Sequence, residues 1–185
     1  MDFTVFLDRD GVVNQDSPLY IKSPEEFLFI PNSPEAVAAL TRAGIRVILI
    51  TNQSVIGRSM VTPQGLDAIF QKMRAGVETA GGQLHDIFFC PHVPDEGCDC
   101  RKPAPGMILA AAKKHGIDLT RSCMVGDSAK DILCGRNAGC GATVLVQTGN
   151  GKKAAKELAA QGVTPDHTAP DLAEAVPWIL DHAKG

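Results

Sequence analysis

No apolar run in this chain reaches the ~18 residues that a membrane span needs, and its start lacks the basic-then-apolar layout of a signal peptide. A soluble, cytoplasmic protein is the expectation. Concentrated positive charge is also missing. The chain has 18 Lys and Arg against 21 Asp and Glu, a net charge of −3 and a pI near 5.9, and its basic residues are scattered rather than gathered into a stripe. Nucleic acid and membrane surfaces therefore have little electrostatic support as partners, which leaves small molecules. Repeats and low-complexity tracts are absent too, so repeat architectures are not indicated.

What is present is enough for one core. The 185 residues, 44% of them hydrophobic, suit a single domain spanning 1–185. Short apolar runs at Phe3–Leu7, Ile45–Ile50, Ile87–Phe89, Met124–Val125 and Thr143–Val146 read as strands. Between and after them, helical periodicity covers about 34–43, 64–80, 105–115, 128–138, 152–161 and 171–183. Gly44, Gly116 and Gly139 stand where helices would stop. This alternation predicts an α/β fold with a doubly wound, mostly parallel sheet. Ligands in such folds bind beyond the carboxyl ends of the strands, so the irregular stretches 14–33 and 90–106 become candidates for substrate and metal work.

Each strand end carries chemistry. The first runs into Asp8-Arg9-Asp10-Gly11, with two carboxylates one residue apart and a glycine that lets the chain turn. Acids so close repel unless a cation or proton sits between them, although Asp-x-Asp-Gly is also an ordinary turn sequence. The second strand ends in Thr51-Asn52-Gln53-Ser54, donors suited to phosphate oxygens or to a helix cap. The fourth ends in Gly126-Asp127-Ser128, with Asp131 a turn later. Asp127 is either a cap or a further carboxylate which, with Asp8 and a backbone carbonyl, gives the oxygen-rich setting that magnesium prefers. Lys102, just before a helix, supplies the cation that an acidic pocket needs to hold phosphate.

A separate cluster, Cys90-Pro-His92 followed by Cys98-Asp-Cys100, packs three thiols and an imidazole into eleven residues. In a reducing compartment this favours metal over disulfides. The ligand types fit tetrahedral zinc, and a full set of four leaves no open position, so the reading is a structural clip that fixes the loop ending in Lys102. Unrelated thiols beside a surface histidine are the plainer alternative. Cys123, Cys134 and Cys140 have no partner pattern and read as core thiols. His85, His115, His167 and His182 read as surface or cap residues.

In order along the chain, Asp8-x-Asp10-Gly11, Thr51, Lys102 and Gly126-Asp127 with Asp131 resemble the four motifs of haloacid dehalogenase phosphatases. The resemblance implies Asp8 as nucleophile, Asp10 as general acid and base, Thr51 and Lys102 as phosphate ligands, and Asp131 as a supporting acid. It also implies a magnesium site that draws on Asp8, Asp10 and Asp127. Val12 stands where many relatives carry threonine, and the family accepts valine there. With the Cys-Pro-His and Cys-Asp-Cys-Arg-Lys-Pro segments and Val144–Gly149, the match narrows to the heptose bisphosphate and histidinol-phosphate phosphatase branch. That branch implies no large cap domain, a monomer, and a small phosphorylated metabolite as substrate, a sugar bisphosphate first. Asp16, Tyr20, Asn52, Gln53, Ser54, Arg101 and Lys102 would then contact substrate. The five-residue gap between His92 and Cys98 is short, as in histidinol phosphatases, which keeps histidinol phosphate as the alternative. A non-enzymatic phosphoacceptor switch is the alternative of another class.

Overall fold

The computed structural model describes residues 3–185. Six parallel strands form one sheet in the order β3-β2-β1-β4-β5-β6, made of β1 (Thr4–Leu7), β2 (Arg46–Asn52), β3 (Asp86–Cys90), β4 (Ser122–Gly126), β5 (Ala142–Val146) and β6 (His167–Ala169). Helices α1 (Ser33–Arg42), α2 (Pro63–Thr79), α3 (Gly106–His115), α4 (Ala129–Ala138), α5 (Gly151–Ala160) and α6 (Leu172–His182) connect the strands and close the chain. The alternating pattern predicted a mostly parallel sheet, and every strand pair is parallel.

Period-two side-chain direction explains the two layers of helices. Val5 and Leu7 of β1 pack with Val47, Leu49 and Val125 against α1, α2 and α6. Phe6 points the other way, with Ile48, Ile50 and Met124, against Met107 and Ile108 of α3 and Cys134 of α4. Both faces are covered, which is why the strands read as continuous apolar runs. Phe6 is fully buried, and truncating such a side chain to alanine costs about 3–5 kcal/mol.

The boundaries differ from the expected ones in a consistent way. β2 runs on through Thr51 and Asn52 because these pair with Phe89 and Cys90 of β3, so the polar donors expected just after the strand are partly inside it. β6 was not anticipated. Its three residues, His-Thr-Ala, carry no apolar run, and the strand exists because it pairs with Val144–Val146. Of the singled-out thiols, Cys123 and Cys134 are buried and Cys140 is half-buried. His115 Nε2 lies 2.7 Å from Asp86 Oδ2, and His85 Nδ1 accepts from the Val47 amide. No helix among the described residues is long and apolar enough to cross a membrane.

Candidate active site

β1 and β4 are neighbours at the centre of the sheet, so their carboxyl ends deliver Asp8 and Asp127 side by side. The Asp8 amide continues the ladder by donating to Val125 O at 3.0 Å. Beyond Asp10 the chain must turn sharply. Gly11 has φ 81°, and a Cβ there would lie 2.1 Å from Asp127 Oδ2. Only glycine permits both that conformation and that approach.

Lys102 is buried among these acids. Its ammonium lies 2.8 Å from Asp8 Oδ1 and 2.6 Å from Asp131 Oδ1, and donates its third bond to Ile50 O at 3.0 Å. Burial alone would lower its pKa, but Asp131 and Asp8 hold it well above the ordinary lysine value, so it stays charged. Asn52 fixes the lysine's backbone by accepting from Lys102 N at 3.0 Å and donating to Lys102 O at 3.3 Å. Asp131 is held through Oδ2 by the Ser128 amide and hydroxyl, in a capping box that opens α4.

Asp8, Asp127 and Asp131 bring carboxylate oxygens within 4.8 Å of one another. Burial, reinforced by the neighbouring acids and opposed by Lys102, raises the Asp8 pKa well above the carboxylate range. Burial and Asp131 push Asp127 up to about 7. Three carboxylates against the one Lys102 ammonium are two positive charges short, and Asp131 already spends both oxygens on Lys102 and Ser128. Asp8 and Asp127 keep free lone pairs of the hard, oxygen kind that suits magnesium.

Asp10 points elsewhere. Its Oδ1 accepts from Arg9 Nη2 at 2.7 Å and Asn14 Nδ2 at 2.9 Å, and its Oδ2 from Gln53 Nε2 at 3.0 Å. Burial would raise its pKa, but the Arg9 charge and these three donors outweigh that and hold it below the usual value. With its carboxylate so engaged, what Asp10 can offer a cation is its main-chain carbonyl.

A cleft of about 470 Å³ opens over this centre, walled by Asp8, Asp10, Asn52, Ser54, Lys102 and Asp127. Asp16 and Tyr20 border it from the 14–33 stretch and Arg101 from the loop before α3. Two expected contacts are not on this wall. Thr51 is fully buried and its hydroxyl accepts from Gln53 Nε2 at 2.8 Å, while Gln53 itself faces Asp10. Other residues emerge that the motifs had not marked: Arg9 and Asn14 as holders of Asp10, and Arg58, Lys130 and Lys153 at the rim. Arg9's place between two acids was a usable signal. The rim cations lie in surface-like helical and loop sequence and had none.

Cys90, His92, Cys98 and Cys100 do come together. Sγ of Cys90 is 3.6 Å from that of Cys98, Cys98 is 3.4 Å from Cys100, and His92 Nδ1 is 3.5 and 3.3 Å from Cys90 and Cys100. Such separations lie close to the ~3.4–3.8 Å edges of a tetrahedron of sulfur and nitrogen around zinc, His92 to Cys100 being slightly shorter. Crowded together, the thiols compete for protons. Burial and the other two sulfurs drive Cys100 up to about 12, while Cys98, despite its desolvation, is drawn down to about 7 by the hydrogen bonds it receives. Arg101 follows at once and donates from Nη1 to His92 O at 2.9 Å, so the cluster is tied directly to the cleft.

A family model describing haloacid dehalogenase-like hydrolases matches residues 99–175. A D-glycero-beta-D-manno-heptose-1,7-bisphosphate 7-phosphatase from Bordetella bronchiseptica is 45% identical over 181 residues, covering 97% of this chain and 98% of that protein. The Vibrio cholerae protein of the same name is 38% identical, over 97% of both chains. Among solved structures, the D,D-heptose 1,7-bisphosphate phosphatase of B. bronchiseptica in complex with magnesium and phosphate superposes with a TM-score of 0.90. It is 44% identical over 98% of this chain and 99% of that one. With relatives matched end to end and the motif residues gathered at one sheet edge, the chain belongs to the heptose-1,7-bisphosphate 7-phosphatase family of haloacid dehalogenase-like hydrolases.

Proposed function

We propose that the protein removes the 7-phosphate of D-glycero-D-manno-heptose 1,7-bisphosphate in the cytoplasm, with magnesium as cofactor and zinc as a structural ion. The observation that carries this reading is the buried Asp8–Lys102–Asp131 constellation beneath a cleft whose rim holds Arg58, Arg101, Lys130 and Lys153, in a chain 45% identical to a protein of that activity. Cations both under the reacting centre and around the mouth suit a substrate with a phosphate at each end. Arg101, whose planar fork is tethered to the metal-clipped loop, is the natural ligand of the phosphate that stays.

Asp8 attacks phosphorus in line and becomes an aspartyl phosphate. Lys102 offsets repulsion between the attacking carboxylate and the incoming anion. When bound between Asp8, Asp127 and the Asp10 carbonyl, magnesium would neutralise further phosphate charge. Asp10 delivers a proton to the departing alkoxide, then takes one from the water that frees Asp8. The arriving phosphate dianion opposes the low pKa of Asp10, since a neighbouring anion favours the protonated acid. Gln53, Asn14 and Arg9 orient it meanwhile. Thr51 contributes by fixing Gln53. Zinc on Cys90, His92, Cys98 and Cys100 would hold Arg101 and Lys102 in place.

The short gap between His92 and Cys98 favours histidinol phosphate as the second reading. Its cationic head would need acids at the rim. Of Asp16, Glu25, Asp95 and Glu96, only Asp16 borders the cleft, beside Glu157, against four cations. The test is kcat/KM for phosphate release with magnesium, from both anomers of the heptose bisphosphate and from histidinol phosphate. A preference of about a hundredfold or more for a heptose bisphosphate is expected. The opposite preference refutes the assignment, and a stable acyl phosphate without release would mark a phosphoacceptor switch.

A further inference from the structure

One residue joins the metal-facing carboxylate to the loop on the opposite side of the cleft. Asn150, in the turn before α5, donates its main-chain N–H to Asp127 Oδ2 at 2.7 Å and its side-chain amide to Asp16 Oδ2 at 2.9 Å, the same amide nitrogen making only a long 3.5 Å contact with Asp127 Oδ2. The amide is free to do so because it makes no capping bond to α5. The turn is rigid: Thr148 Oγ1 donates to Gly11 O at 2.6 Å, and Gly149 sits so close that a Cβ would be 2.1 Å from Asp127 Oδ2. Asp16 is solvent-exposed and, among the described residues, is otherwise held only by the adjacent Ser17 amide at 2.8 Å. Asp16 and Asn150 also border a second depression lined by Gln15, Ile30 and Pro31, so both residues are shared by that depression and the cleft. Without the amide between them, Asp16 and Asp127 would repel.

We infer that Asn150 is a positioning residue with two separable tasks: its backbone orients Asp127 for the cation, and its side chain holds Asp16 on the cleft wall, where its carboxylate accepts from substrate hydroxyls. The second task rests on the proposed sugar bisphosphate substrate. Asn150→Ala keeps the main-chain donor and removes only the amide, whereas Thr148→Val loosens the turn and leaves the amide.

The test combines steady-state kinetics with calorimetric titration of Mg2+ into the zinc-loaded protein. Asn150→Ala is expected to raise KM for the heptose bisphosphate about tenfold while kcat and the Mg2+ dissociation constant stay within about twofold. On an Asp16→Ala background it should add nothing, since both changes remove one interaction. Thr148→Val should show the reverse split, with Mg2+ binding weakened several-fold and KM unchanged. An unaltered KM in Asn150→Ala, additive effects in the double variant, or Mg2+ affinity lost with the side chain would each overturn the inference. A wrong substrate assignment shows instead in the wild-type protein, as poor turnover of the heptose bisphosphate, and the Mg2+ titrations still read the Asp127 half.

Discussion

The acidic centre and the cysteine cluster lie on either side of Arg101 and Lys102, yet they are held together by opposite means. Around Asp8 the protein supplies its own counter-charge: Lys102 is buried, makes three bonds, and pairs with two of the three clustered carboxylates. Around Cys90, among the described residues, no cationic side chain is paired with the sulfurs: three thiols and an imidazole converge on one another, helped only by main-chain donors such as the Arg101 amide. The first site can be preassembled by folding. The second has the ligand set that an ion would order, because converging thiols otherwise share protons at a cost. The difference predicts that damage to the first site stops chemistry without unfolding the chain, and that damage to the second loosens the chain and slows chemistry only through Lys102 and Arg101.

Removing Asp8, the proposed nucleophile, should separate the two most sharply. Asp8→Asn is expected to lower kcat by about 10⁴-fold or more, with a melting midpoint close to that of the wild type, because Lys102 keeps Asp131. A large drop in the midpoint would mean that the centre is not self-sufficient. Asp10→Asn should lower kcat by about 10²–10⁴-fold with Mg2+ binding unchanged, since the carboxylate is committed to Arg9, Asn14 and Gln53. Cys98→Ser is expected to reduce zinc content and stability together, by about 3 kcal/mol, which for a chain of this size is about 6–12 °C. KM should rise more than kcat falls. A stable, active, zinc-free Cys98→Ser protein would break the comparison. The mildest change is Gln53→Ala, which frees one oxygen of Asp10 and should cost about tenfold in kcat, read by single-turnover kinetics.

Legibility in the sequence followed the same divide. Five of the six strands were recognisable because a parallel sheet covered on both faces needs apolar runs, β6 being the exception, and the adjacency of β1 and β4 at the sheet centre puts Asp8 and Asp127 together. The Cys-Pro-His and Cys-Asp-Cys spacing was enough to gather four ligands within a short loop. Thr51 and Gln53 were harder. Their residue types suit phosphate, but β2 continues through Thr51 because β3 pairs with it, and that extension turns Thr51 inward and Gln53 toward Asp10. Asn150 was invisible, since it is 134 residues away from the Asp16 that it holds.

By itself, the sequence determined what depends on local order and periodicity: the α/β rhythm, which strand ends carry acids, the lysine before α3, and the four-ligand loop. Only the tertiary structure decided which of these groups face one another. It buried Lys102 between Asp8 and Asp131, turned Asp10 onto Arg9, placed four cations around one mouth and drew Asn150 between Asp16 and Asp127. The reason is physical: a side chain's direction is set by the pleat and its chain neighbours, but its partner is set by which distant strands and helices pack beside it.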